Sequence, residues 1–249
     1  MIQRKKVTVV LLVLYWPTAF VLSHVPIPQV VRATHTSDKS LHFLAYLVLT
    51  LLLWSVVKPD QKVRWRKAAA WWVLGIVIAY GVCDEVLQHF VVGRSTDARD
   101  LVADAAGAVT ALGVLSFLSF WPACLVAVGT IIYTLAVFVR ANVSQILPVT
   151  ATIFHLGAYA LFTLLWARCL RHWQALRKVG SGGILALLAV PVGLMVVAKA
   201  SAMLSGKAFA GWDMVAATVG VLAGAGAVTA VEMAGRRRAR NAEGSSAVR

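Results

Sequence analysis

A chain of 249 residues that is 60% hydrophobic, with a mean hydropathy of +0.79, is too apolar for a soluble globular domain and has the composition of a polytopic membrane protein. Its formal net charge of +14 would suit nucleic acid, but the Lys and Arg residues lie between apolar runs and at the termini. That placement is a topology signal and a contact with anionic lipid headgroups, and it argues against a nucleic-acid partner.

Each spanning helix needs about 20 apolar residues to cross roughly 30 Å of hydrocarbon. Basic residues 2–6 lead into a first span, Val7 to Leu22. Ser23-His24-Val25 makes a poor cleavage site, so this span is expected to be a retained helix and not a signal peptide. Pro26 and Pro28 break the chain, and a polar segment, Arg32 to Ser40, precedes the second span, Leu41 to Val57. A loop over 58–67 with five basic residues precedes the third, Ala68 to Phe90. After Gly93 to Arg99 comes the fourth, Asp100 to Phe117. Ser119 to Pro122 reads as a tight break, because proline and its predecessor resist helix continuation. The remaining spans are Ala123 to Val139, Thr150 to Ala167, Ile184 to Met203 and Met214 to Val231, with a second basic loop over 168–178. The tail, 235–249, is basic and then small and polar, and is expected to be disordered. Trp54, Trp65, Trp71, Trp72 and Trp121 read as interfacial anchors, and Cys83, Cys124 and Cys169 as packing residues without metal-ligand spacing.

The expected fold is therefore an all-α polytopic membrane protein with about eight transmembrane helices. The N-terminus, both basic loops and the tail fall on one side, which the positive-inside rule makes cytoplasmic. Both termini are then cytoplasmic, and the expected location is the bacterial cytoplasmic (inner) membrane.

An internal repeat is legible. His42-x3-Tyr46-x3-Thr50-Leu-Leu recurs as His155-x3-Tyr159-x3-Thr163-Leu-Leu, an offset of 155 − 42 = 113, and the same offset takes Asp100 to Asp213 and Gly107 to Gly220. This gives two four-helix units of one orientation, 1–118 and 119–234. The second has lost most of the acids: Asp38 maps to Ala151, Glu85 to Ala198, Gln88 to Ser201, Asp97 to Ala210 and Asp104 to Ala217. One working site, in the first unit, is expected.

Only 10 residues are acidic, and five of them, Asp84, Glu85, Asp97, Asp100 and Asp104, lie in the stretch joining spans three and four; Asp38 precedes span two. Ionisable residues in or beside a span are costly and mark function by default. Asp97, Asp100 and Asp104 are spaced to share a helix face, Glu85 and Gln88 are a turn apart, and so are His42 and Tyr46. Candidate catalytic residues are Glu85, Asp100, Asp104 and His42, with Asp38, Tyr46, Gln88, Arg94 and Asp97 as binding residues. All face the extracytoplasmic side in this topology. Arg94 suits a phosphate or carboxylate, or with Arg99 could pair with the aspartates to close the bundle. A divalent cation, if present, would fall to Asp97, Asp100 and Asp104. The D-x2-D-x3-D spacing resembles the motif of CDP-alcohol transferases, although Leu101 stands where that pattern has glycine.

Taken together, D-K-x-x-H-F-x-x-Y (38–46), D-E-x-x-Q (84–88) and G-R-x-x-D-x-x-D-x-x-x-D-x-x-G (93–107) resemble the VanZ-like family of bacterial membrane proteins. The resemblance implies a link to low-level resistance to the glycopeptide teicoplanin, without an established reaction. The expected partners are membrane lipids and lipid-linked envelope precursors or the glycopeptide itself. Three readings stay open: a site that binds or modifies an extracytoplasmic lipid or cell-wall precursor, a non-catalytic envelope protein, and a secondary transporter. A metal-dependent enzyme of lipid phosphates is a further alternative. Oligomeric state is not legible.

Overall fold

The computed structural model describes residues 2–24, 38–91, 97–137, 148–172, 181–206 and 211–246. The described residues form eight helices: α1 (Ile2–His24), α2 (Asp38–Val57), α3 (Ala68–Gln88), α4 (Ala98–Phe117), α5 (Phe120–Val137), α6 (Pro148–His172), α7 (Ser181–Leu204) and α8 (Gly211–Ser246). Each is long and apolar enough to cross a membrane, and no strand occurs among the described residues. The apolar runs thus become helices where the sequence places them, with ends that move for local reasons. Helix α4 begins at Ala98 because Asp97 caps it. Pro122 lies in the first turn of α5, where a missing N–H costs nothing, and the break itself falls at the extended Leu118. The tail expected to be disordered is helical as far as Ser246. Its A-G-R-R-R-A-R-N-A-E run is rich in helix formers and contains no proline to stop the span it continues.

The chain divides into two compact units, 1–146 and 147–249. In the first, α2 is the central helix: 61% of its apolar window is buried, against 11% for α1. The core gathers Leu47, Leu49 and Leu51–Leu53 of α2, Val73 and Val77 of α3, Ala108, Ala111 and Leu112 of α4, and Ala123 and Ala127 of α5. Small residues let α2 and α4 approach closely. A Cβ on Gly107 would run into the Phe43 carbonyl oxygen and stand 3.0 Å from the Leu47 nitrogen, so this crossing requires glycine. Tyr15 ties α1 to α2 by donating its hydroxyl to the Ala45 carbonyl at 2.9 Å.

The loop over 58–67 clamps one end of this unit. The last carbonyls of a helix lack intrahelical donors, and here Val63 N–H and Lys62 Nζ donate to the carbonyls of Leu115 (3.0 Å) and Phe117 (2.7 Å). The Trp65 indole donates to Ser116 Oγ at 2.9 Å. Trp71 and Trp72 are exposed, as expected of anchors, whereas Trp54 is buried in the core and donates to the Gln61 carbonyl at 2.8 Å.

The second unit is built around α6 and α8. A Cβ on Gly220 would meet the Leu156 carbonyl oxygen and the Ala160 nitrogen, and one on Gly224 would press on Ala160 and Thr163. Trp166 donates to the Ala186 carbonyl of α7 at 2.8 Å, beside a small core of Ala167, Leu170, Leu187 and Val228.

Candidate polar site at one end of the first unit

Successive antiparallel helices bring the C-terminal ends of α1 and α3 and the N-terminal ends of α2 and α4 to one pole, opposite the 58–67 clamp. The polar side chains of the first unit converge there. Outermost is Asp97. Its backbone is extended, as the N-cap position demands, and its Oδ1 accepts the Arg99 N–H at 2.9 Å. Lys39 Nζ donates to Asp97 Oδ2 at 2.9 Å and lies 3.4 Å from Asp100 Oδ1. The hydrogen bond from the Lys39 ammonium, seconded by the Arg99 N–H, holds the Asp97 carboxyl below the usual aspartate range. A depressed folded-state pKa contributes stability above the ordinary aspartate value of about 3.9, lost as pH falls through the lowered one. Lys39→Met should therefore move the Asp97 titration back up, as read by carboxyl ¹³C NMR of labelled protein in micelles. An unmoved titration would break the pairing.

Deeper lie the acid–histidine contacts. His42 Nδ1, in the protonated tautomer, donates to Asp104 Oδ1 at 2.9 Å, with both side chains buried. Asp104 falls about 9 Å along α4 from its first residue, well below the surface. Glu85 Oε2 accepts the Asp97 N–H at 3.2 Å. His42, Glu85 and Asp100, from three helices, offer ligand atoms within 4.8 Å of one another, and all three are buried. Tyr46, one turn below His42, stacks on Tyr80 at 5.8 Å. Gly81 makes room beneath them: a Cβ there would stand 3.1 Å from Asp104 Oδ2 and 3.4 Å from the Tyr46 ring.

Several sequence expectations change. Gln88 lies a turn from Glu85, and its Nε2 donates to Asp84 Oδ2 at 2.8 Å, one full turn back. Asp97, Asp100 and Asp104 do not form one ligand group; Asp97 caps the helix, Asp104 bonds His42, and of the three only Asp100 joins His42 and Glu85. Among the described residues the cation bonded to the aspartates is Lys39, while Arg99 contributes its backbone N–H to Asp97. Asp38 begins α2, but its side chain and the whole of Arg94 lie outside the described residues.

Ser23, His24 and Lys39 were missed, and Asp84, noted among the clustered acids, was not placed among the candidate site residues. Asp84 is buried and accepts Ser23 Oγ at 3.0 Å, with His24 Nδ1 at 3.7 Å. Consecutive residues on a helix point about 100° apart, so Asp84 faces α1 while Glu85 faces α4. A histidine at the end of an apolar span was the available signal for His24. Lys39, three residues before His42 on the same face, was legible within the D-K-x-x-H motif.

Eight spans and a buried acid–histidine pole in the first unit define a polytopic all-α membrane protein with an ionisable end. Residues 6–120 match the family model described as VanZ/LLP1, and over that stretch the chain is similar to VanZ-like membrane proteins. The search of curated proteins and that of solved structures found no match.

Proposed function

We propose that the polar pole of the first unit binds an extracytoplasmic ligand, a lipid or cell-wall precursor, and that this underlies protection against a glycopeptide of the teicoplanin kind. The observation that carries the reading is the gathering of polar side chains from four helices at one end of an otherwise apolar unit. Glu85 Oε1 and Asp104 Oδ2 there are buried without a hydrogen-bond partner. Unpaired buried carboxylate oxygens are costly and suit a ligand that completes them. The outward orientation rests on the basic loop at the opposite pole, which the positive-inside rule puts in the cytoplasm.

The second unit supports a duplication in which packing was kept and acids were lost. Gly220 meets Leu156 and Ala160 as Gly107 meets Phe43 and Leu47, each pair offset by 113. Ala198 and Ala217 stand where Glu85 and Asp104 stand. A transporter is less favoured: the acids lie at one end, whereas transport sites lie near the midplane at broken helices, and α3 and α4 run unbroken.

The test is teicoplanin susceptibility of a sensitive host expressing wild type, Glu85→Gln, Asp100→Asn, Asp100→Glu and Asp213→Asn at matched levels. Protection should be lost in the first two variants and kept in Asp213→Asn. Asp100→Glu separates an enzyme, which loses most activity, from a binding surface, which tolerates the retained charge. Equal protection from all five would remove the acids from this role.

A further inference from the structure

We infer that His42, Glu85 and Asp100 form a binding site for one divalent cation of the Mn²⁺ or Zn²⁺ class, with Asp104 holding His42 in place for it. The inference rests on the pole proposed above being functional, and it names what would occupy its centre.

The donor set comes first. One imidazole and two carboxylates, with ligand atoms within 4.8 Å, arise from three different helices. A bond length of about 2.1 Å places neighbouring ligand atoms of one ion roughly 3 to 3.4 Å apart, so small inward rotations of these side chains would close the site. A single nitrogen among oxygens is softer than the all-oxygen sets of Mg²⁺ or Ca²⁺ and harder than the thiolate sets of structural zinc. Three protein ligands leave coordination positions for water or a ligand oxygen. The His42–Asp104 hydrogen bond of 2.9 Å has the form of a carboxylate–histidine–metal relay, in which Asp104 fixes the ring through Nδ1 and Nε2 would be the ligand atom.

Charge makes the second argument. Asp84, Glu85, Asp100 and Asp104 are all buried at this pole. Among the described residues Lys39 is the ammonium that reaches it, and it is divided between Asp97 and Asp100. Glu85, only 8% exposed, receives one backbone N–H on Oε2 and no hydrogen bond on Oε1. A further observation is independent of the three ligands. The Tyr46 hydroxyl and Asp104 Oδ2, on side chains 5% and 0% exposed, also lack hydrogen-bond partners, and both side chains pack over Gly81. Such a pair suits the water molecules that an ion carries with it.

The experiment uses the full chain, purified in detergent, stripped with a chelator and equilibrated separately with Mn²⁺, Zn²⁺, Mg²⁺ and Ca²⁺. Bound metal is read by elemental analysis, affinity by calorimetry, and folding by circular dichroism. Wild type should hold one equivalent of Mn²⁺ or Zn²⁺ and bind Mg²⁺ and Ca²⁺ at least tenfold more weakly. Glu85→Gln and Asp100→Asn should each lose stoichiometric binding, and Asp104→Asn should weaken it by about 10- to 100-fold, as expected of a residue that orients a ligand. Asp60→Asn and Asp213→Asn should bind as wild type. A folded wild type that takes up none of the four ions overturns the inference, whatever the variants do. So does binding that survives Glu85→Gln and Asp100→Asn, or a preference for Mg²⁺ or Ca²⁺. No glycopeptide or lipid is needed for this measurement. A chain that binds the ion but gives no protection retains the metal site and loses the ligand reading; protection without the ion does the reverse.

Discussion

Gly107→Leu is expected to leave the first unit unable to assemble, seen as loss of protease resistance and of the cooperative thermal transition in detergent. A side chain at this position has nowhere to go, because its Cβ alone would run into the Phe43 carbonyl oxygen and crowd the Leu47 nitrogen. These are backbone atoms of α2, the most buried helix of the unit, and they cannot rotate aside. Overpacking a core with flexible neighbours costs about 1–3 kcal/mol, and a clash with rigid backbone should exceed that. In a bilayer the effect is sharper, since close van der Waals packing is a main source of helix association. The control lies on the same helix: a Cβ on Gly113 would meet nothing within 4 Å. Gly113→Ala should be neutral or slightly stabilising, by up to about 1 kcal/mol of helix propensity. Gly220→Leu should do the same damage within the second unit. If Gly107→Leu melts with wild type, the close crossing of α2 and α4 is not what holds the unit together.

The second large effect concerns the His42–Asp104 pair. His42→Ala should destabilise by about 3–5 kcal/mol, the usual result of stripping the partner from a buried ionisable group. Asp104 is wholly buried, and the alanine takes the imidazole donor away from its Oδ1. Asp104→Ala should cost less, because a neutral imidazole left behind is cheaper to bury than a carboxylate. Replacing both, as His42→Leu with Asp104→Leu, should recover most of the loss while abolishing ion binding and protection. Denaturant titration of wild type, His42→Leu, Asp104→Leu and the double variant closes the cycle and gives the coupling directly. Losses that add within about 0.5 kcal/mol would mean that the two residues do not interact energetically.

What the sequence could disclose follows from the kind of interaction involved. The spans were legible because the bilayer demands runs of fixed apolar length, which single-chain composition records. Glu85, Asp100, Asp104 and His42 stood out for the same reason, as ionisable residues at corresponding ends of such runs. Partners across helices were not legible. Nothing in the order of residues says that Gln88 turns to Asp84, or that Ser23 of the first helix meets Asp84, 61 residues on. The capping role of Asp97 was obscured by its spacing to Asp100 and Asp104, which fits a helix face as well as it fits a helix start. The helical tail was misread because charge and small residues suggest disorder, while the same arginines and alanines extend a helix already nucleated by the span before them.

The two exposed tryptophans of α3 set a depth scale. Trp71 and Trp72 lie at the clamped end, and indole rings settle at the level of the headgroups. Glu85 follows Trp72 by 85 − 72 = 13 residues, which the helical rise converts to about 20 Å. In a hydrocarbon layer of about 30 Å, that leaves the α3 backbone at Glu85 roughly 10 Å short of the opposite boundary, from where the side chain reaches to the Asp97 N–H at the start of α4. A ligand of the proposed kind would then have to reach below the headgroups to meet it. Molecules already seated in the leaflet, which can slide a headgroup inward between helices, start with an advantage that freely dissolved ones lack.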